Sequence, residues 1–115
     1  MPSGFTEEEK EQIITDLIEE GTKLFSIYGL KKTTIRDLTK AVGISQGSFY
    51  NFFNSKEELY FEILDKEGQR LREELMKYSE LVKENPRRGI KKILLEAYTS
   101  LEKNNLFKDL FYENT

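Results

Sequence analysis

Gly43 stands between two segments, residues 33–42 and 45–52, each too short to persist as an isolated helix in water. That arrangement constrains the chain more than any other. Ile35, Leu38, Ala41 and Val42 before the glycine recur at helical steps and are expected to face inward, and Phe49, Phe52 or Phe53 after it is expected to pack on a longer helix. Gly43 supplies the positive φ of a sharp turn, Ile44 plugs the space between the two segments, and Ser45 caps the second of them. Thr33 or Thr34 caps the first. Two short amphipathic helices joined in this way form a helix-turn-helix candidate, which needs a longer helix to pack against.

Such a helix is written upstream. Thr6 and Glu9 form a capping box, and Ile13, Ile14, Leu17, Ile18, Leu24, Phe25 and Tyr28 follow as one apolar stripe over about six turns. Gly29 is expected to end it as a left-handed cap. Downstream, Asn54 and Ser55 mark a break, and Ser55 with Glu58 is a second capping box. One long helix is expected from there to Asn85, with Leu59, Ile63, Leu64, Leu71, Leu75, Tyr78 and Val82 on its apolar face. Asn85 and Pro86 start another, patterned by Ile90, Ile93, Leu94, Ala97, Tyr98 and Leu101. Asn104 and Asn105 interrupt it before a short last helix carrying Leu106, Phe107, Leu110 and Phe111.

The fold class is therefore all-α. A three-helix domain is expected over residues 1–54, and residues 55–115 hold a long helix and the first helices of a second helical domain. Phe107, Leu110, Phe111 and Tyr112 crowd the end of the sequence. They either pack back on the preceding helices or, as we expect, the chain continues in its natural context.

Charge and composition narrow the function. The sequence has no cysteine and no histidine, which removes thiolate chemistry, imidazole acid-base work and the common zinc ligand sets. No metal, cofactor or catalytic residue is expected, because the acids are spread along helix faces without a nucleophile and base to pair. The N-terminal segment lacks the basic and apolar regions of a signal peptide, and no apolar run has the length of a membrane span, so a cytoplasmic protein is expected. The net charge is −3, yet it is unevenly placed. Residues 1–20 hold seven acids against Lys10 alone, whereas residues 31–56 hold Lys31, Lys32, Arg36, Lys40 and Lys56 against Asp37. Positive charge coincides with the helix-turn-helix candidate, and a phosphate backbone meets that local field rather than the overall charge.

If the second short helix enters a DNA major groove, its start and outer face must be polar and small. Ser45, Gln46, Gly47, Ser48 and Asn51 meet that demand: Gln and Asn pair bidentately with adenine, Ser bonds several bases or phosphates, and Gly47 lets the backbone come close. Thr33, Thr34, Arg36, Tyr50 and Lys56 are candidates for phosphate contacts that fix register. Bland readings exist for each: polar helix residues face water, threonines cap, and Tyr50 reads equally as a packed aromatic. A helical protein-interaction module without DNA binding is the alternative function.

The run TTIRDLTKAVGIS, then Gly47-Ser48-Phe49-Tyr50, Phe53 and Ser55-Lys56-Glu57-Glu58-Leu59, resembles the DNA-binding signature of the tetracycline-repressor (TetR) family of bacterial transcription regulators. Leu24-Phe25 before Tyr28-Gly29 fits the same order. The resemblance covers about residues 12–64. It implies a three-helix DNA-binding domain, a long fourth helix leading into a helical regulatory domain, and a homodimer that binds palindromic operators on double-stranded DNA until a small-molecule effector releases it. It also implies phosphate contacts at Thr34, Tyr50 and Lys56, and approach to bases or backbone by Arg36, Gln46, Gly47 and Ser48. The chain departs from the family pattern in its acidic N-terminal segment, in Asn51 where His or Tyr is frequent, and in its length.

Overall fold

The computed structural model describes residues 4–112, the side chains of residues 111 and 112 excepted. Its helices are α1 (Glu7–Lys32), α2 (Ile35–Val42), α3 (Gln46–Phe49), α4 (Lys56–Met76), α5 (Ser79–Glu84), α6 (Pro86–Lys103) and α7 (Asn105–Tyr112). Among the described residues there is no strand, and no helix is long and apolar enough to cross a membrane. The fold is all-α, divided into two compact units, Met1–Ile63 and Leu64–Thr115. The boundary between these two units lies inside α4. The reason is that Leu59, Tyr60 and Ile63, in the first turns of α4, are buried in the core of the first unit.

That core is built on a four-residue ladder along α1. Ile13, Leu17, Gly21, Phe25 and Gly29 are its buried positions, while Ile14 and Tyr28, expected inward, are 37% and 55% exposed. Gly21 is the rung the apolar pattern does not register. A Cβ there would lie 2.9 Å from Ile63 Cδ1, 3.3 Å from Leu59 Cδ2 and 3.6 Å from Leu38 Cδ2, so α1, α2 and α4 close on one another at this glycine. Around it, Phe25 meets Tyr60 edge-on with ring centroids 5.1 Å apart, and Phe49 meets Phe53 at 5.9 Å. Burying each such side chain contributes roughly 1.5–3 kcal/mol, enough for a few of them to hold helices that could not stand alone.

The capping signals act largely as written. Thr6 and Glu9 exchange hydrogen bonds of 3.1 and 2.8 Å at the start of α1. Ser55 Oγ accepts from the Glu58 amide at 3.1 Å, but the returning Glu58 carboxylate takes the Asn54 amide (3.3 Å), one residue earlier than a full capping box requires. Gly43 is left-handed (φ 82°, ψ 34°) and closes α2. Within α2 the buried residues are Leu38 and Thr39, whereas Ala41 faces solvent. Thr39 is accepted inside because its hydroxyl donates to the carbonyls of Ile35 (2.9 Å) and Arg36 (3.2 Å).

Two expected boundaries move. Gly29 has the anticipated positive φ of 82°, but its ψ of 168° is extended and a further turn runs to Lys32. A left-handed cap is not needed there, because side chains satisfy the carbonyls at that end, as described below. In the second unit, the single long helix expected up to Asn85 is broken at Lys77 and Tyr78, giving α4 and α5. The break lets Val82 of α5 seat on α6: a Cβ at Gly89 would lie 2.6 Å from the Val82 backbone nitrogen and Cα, so only glycine permits the approach. Asn85 caps α6 through the Arg88 amide at 3.2 Å, with Pro86 in the first turn. Asn104 both ends α6 and starts α7, accepting from the Leu106 amide (2.9 Å) and donating to Glu67 (3.2 Å). Leu106 is buried, and Phe111 and Tyr112 of the terminal aromatic cluster lie outside the described side chains. The apolar pattern of α6 is covered on one side only; Ile90, Leu94, Leu95 and Tyr98 are at least half exposed.

Candidate nucleic-acid interface

In the first unit, α3 has four helical residues, fewer than the seven expected. The chain continues through residues 50–52 with Tyr50, Asn51 and Phe52 amides donating three residues back, a tighter winding than the α-helix. The segment stays rigid because its apolar side is fastened: Phe49 is fully buried and Phe53 nearly so. Phe52 is half-buried against Phe5, with ring centroids 6.0 Å apart. The opposite side is free. Gln46, Gly47, Tyr50 and Asn51 are all exposed and fall at the i, i+1, i+4 and i+5 spacing of one helical face. Tyr50 is 56% exposed and leans edge-on against Phe49, so it is a supported aromatic with an accessible hydroxyl end and not a core residue.

Ser45 starts the segment. Its Oγ accepts from the Ser48 amide (3.0 Å) and donates to Ser48 Oγ (2.8 Å), which ties the two hydroxyls to one another at the mouth of α3. Gly47 has no internal requirement for glycine. A Cβ there would meet nothing nearer than Ser45 Oγ at 3.9 Å, and its φ is not positive. A helical glycine without a structural reason destabilises by roughly 0.5–1 kcal/mol relative to alanine.

On α2, Thr34 is the cap and is exposed; its Oγ1 accepts from the Asp37 amide while the Asp37 carboxylate accepts from the Thr34 amide, each at 3.0 Å. This is a capping box that the T-x-x-D spacing of residues 34–37 could have announced. The Thr34 backbone amide and then its hydroxyl hold the Asp37 carboxyl below the ordinary carboxylate range, with Arg36 and Lys40 adding to the effect. Arg36 and Lys40 are exposed, as are Lys31 and Lys32 at the end of α1.

Two expected phosphate contacts are placed otherwise. Thr33 is 1% exposed, and its hydroxyl donates to the carbonyls of Gly29 (2.8 Å) and Leu24 (3.3 Å). It closes α1 from within and is withdrawn from the surface that a phosphate could reach. Lys56 is half-buried, and its ammonium donates to the carbonyls of Leu30 (2.7 Å), Thr33 (2.9 Å) and Lys31 (3.2 Å). Nothing in the sequence announced these bonds, whose acceptors lie more than twenty residues upstream. The N-terminal segment also contributes unexpectedly: Phe5, Glu11 and Ile14 line a groove with Ser48, Asn51 and Phe52. The one available signal was Phe5 itself, an isolated aromatic in an otherwise polar stretch.

Residues 17–63 match the family described as bacterial regulatory proteins, tetR family. This segment of the chain belongs to the TetR family. The TetR-family match takes in most of α1, all of α2 and α3, and stops at Ile63, where the first compact unit ends. The chain is similar to the HTH-type transcriptional repressor KstR2 of Rhodococcus jostii, 46% identical over 50 residues, which are 44% of this chain and 24% of that protein. It is also similar to the HTH-type transcriptional regulator TtgR of Pseudomonas putida, 30% identical over 97 residues, which are 84% of this chain and 46% of that one. Among solved structures, the probable transcriptional regulatory protein RHA5900 superposes with a TM-score of 0.57 at 30% identity, covering 85% of this chain and 52% of that one. The chain thus spans about half or less of the length of these TetR-family relatives.

Proposed function

We propose that this chain is a sequence-specific DNA-binding transcription regulator that inserts α3 into the major groove. The observation that carries the reading is the division of the α3 segment: Phe49 and Phe53 are buried in the core, and Gln46, Gly47, Tyr50 and Asn51 are turned outward. Gln46 and Asn51 offer bidentate pairing to adenine, and Gly47 lets the backbone approach base edges. Thr34, Arg36 and Tyr50 supply phosphate contacts that fix register, supported by the exposed lysines at positions 31, 32 and 40. KstR2 is named a repressor, and repression is the role we assign here.

By the same reading the protein is not an enzyme, acts in the cytoplasm and binds palindromic operators as a homodimer, with recognition helices about 34 Å apart, one duplex turn. Release by a small-molecule effector belongs to a regulatory domain of which the second unit holds the first helices. The test is titration of the 115-residue chain with duplexes selected from a random pool. Tyr50→Ala and Arg36→Ala should each weaken binding about tenfold, and Arg36→Ala alone should also flatten its salt dependence; a chain with no preference for selected over random duplex would refute the proposal.

The alternative, a helical protein-interaction module, draws on the exposed side chains of Ile90, Leu94 and Leu95. Self-association in sedimentation without any duplex binding would favour it.

A further inference from the structure

A lysine ammonium has three donors and no acceptor, and all three are matched at Lys56. Its acceptors are not a random set. Leu30 and Lys31 belong to the last turn of α1, where carbonyls lack helical partners and the negative end of the helix dipole lies. The third, Thr33, is the residue immediately before the Thr34 cap of α2. From the other side, the Thr33 hydroxyl takes the carbonyls of Gly29 and Leu24. Four carbonyls at the end of α1 and in the connection, with that of Leu24 farther back in α1, are thus held by two side chains, Thr33 and Lys56 of the first turn of α4. The connection bears Lys31 and Lys32, whose charges would repel a nearby ammonium, so the three carbonyls are what makes the site favourable for Lys56.

We infer that Lys56 is a positioning residue of the DNA-reading head: its ammonium locks the α1–α2 connection, and so fixes where the Thr34 cap and Arg36 are presented, instead of binding phosphate itself. The inference rests on the proposed DNA-binding reading and departs from the phosphate role expected for this lysine. A phosphate contact at Lys56 would have to break one of the three carbonyl bonds, whereas Arg36 is exposed and keeps its charge for a backbone.

Counterion release separates the two roles. A phosphate contact contributes about 0.9 to the slope of log affinity against log salt, and a positioning residue contributes nothing to it. The experiment compares the full chain with Lys56→Met, Lys56→Arg and Arg36→Met on mixed-sequence double-stranded DNA over a salt series, and measures amide exchange at residues 34–38 without DNA.

Lys56→Met should bind about tenfold more weakly at fixed salt with an unchanged slope, and its residues 34–38 should exchange faster. Arg36→Met should lower the slope by about 0.9 without changing exchange. Lys56→Arg keeps the charge, but its planar fork cannot converge on three carbonyls, so it should also bind more weakly with the slope intact. Should Lys56→Met fail to fold, the arginine variant decides alone. A slope reduced by about 0.9 in Lys56→Met with unaltered exchange, or full affinity in Lys56→Arg, would overturn the inference. If the unsubstituted chain shows no salt-dependent duplex binding, the DNA-binding reading fails, and the inference with it; the exchange arm then still tells whether Lys56 holds the connection.

Discussion

Thr33 and Thr34 are the same residue type side by side, and their fates are opposite. One hydroxyl is turned into the end of α1 and the other caps α2 on the surface. Asp37, three residues after Thr34, announces the surface cap; the burial of Thr33 follows from the carbonyls of Gly29 and Leu24, whose place becomes visible only when the helix end is built. Gly47 presents the converse case, a residue whose surroundings explain nothing. Because a Cβ there fits without a clash, 3.9 Å from Ser45 Oγ, in a helical backbone, Gly47→Ala should raise stability by roughly 0.5–1 kcal/mol in denaturant titrations. The same substitution should weaken duplex binding. Gain on one measurement and loss on the other would mark the glycine as kept for its approach to a partner, and equal duplex affinity would remove that explanation. Gly43, Ser45 and the phenylalanine anchors were legible beforehand, since positive φ, capping and burial are each written in a single residue type. Lys56 was not, because its acceptors come from a distant turn.

Elements were read correctly where their ends are chemically marked and misplaced where packing sets them. No glycine or proline announces the break at Lys77 and Tyr78, and the apolar spacing runs through it; the seat of Val82 on Gly89 imposes it. Gly89→Ala should therefore destabilise the second unit by about 1–3 kcal/mol, since backbone atoms at 2.6 Å cannot give way. Gly68→Ala in α4 is the control. It meets nothing within 4 Å and should stabilise by roughly 0.5–1 kcal/mol in the same thermal melts. For α2, the sign of the acid response follows from Asp37. Its carboxyl titrates lower in the folded state than in the unfolded chain, so the folded state binds fewer protons. The cap's contribution is present above the unfolded value and is lost as pH falls below about 4. Protection of the Thr34 amide should decline over that window, and Asp37→Asn should abolish the pH dependence.

At the level of the molecule, a net charge of −3 and a basic helix-turn-helix coexist because the acids are concentrated in the first half of α1 and along α4. Exposed cations near the proposed reading face are Lys31, Lys32, Arg36 and Lys40, with Lys56 engaged by carbonyls. The slope of log affinity against log salt should accordingly lie between about −2 and −4 for one chain on duplex DNA. A slope near zero would mean that the basic cluster meets only solvent. The all-α class and the order of the helices were legible from periodicity and caps. The division of the chain within α4 was not, because it depends on which turns of one helix enter the core.

Gln46 and Asn51 make no side-chain hydrogen bond within the described residues, and the space a side chain at Gly47 would fill holds nothing nearer than Ser45 Oγ at 3.9 Å. Their neighbours Ser45, Phe49 and Phe53 carry the whole task of keeping the segment in place. The outward positions are thus released from any duty in folding, which makes them an exchangeable set. Duplicated copies of such a chain can drift to new target sequences by substitutions at these positions while every descendant folds as its ancestor did.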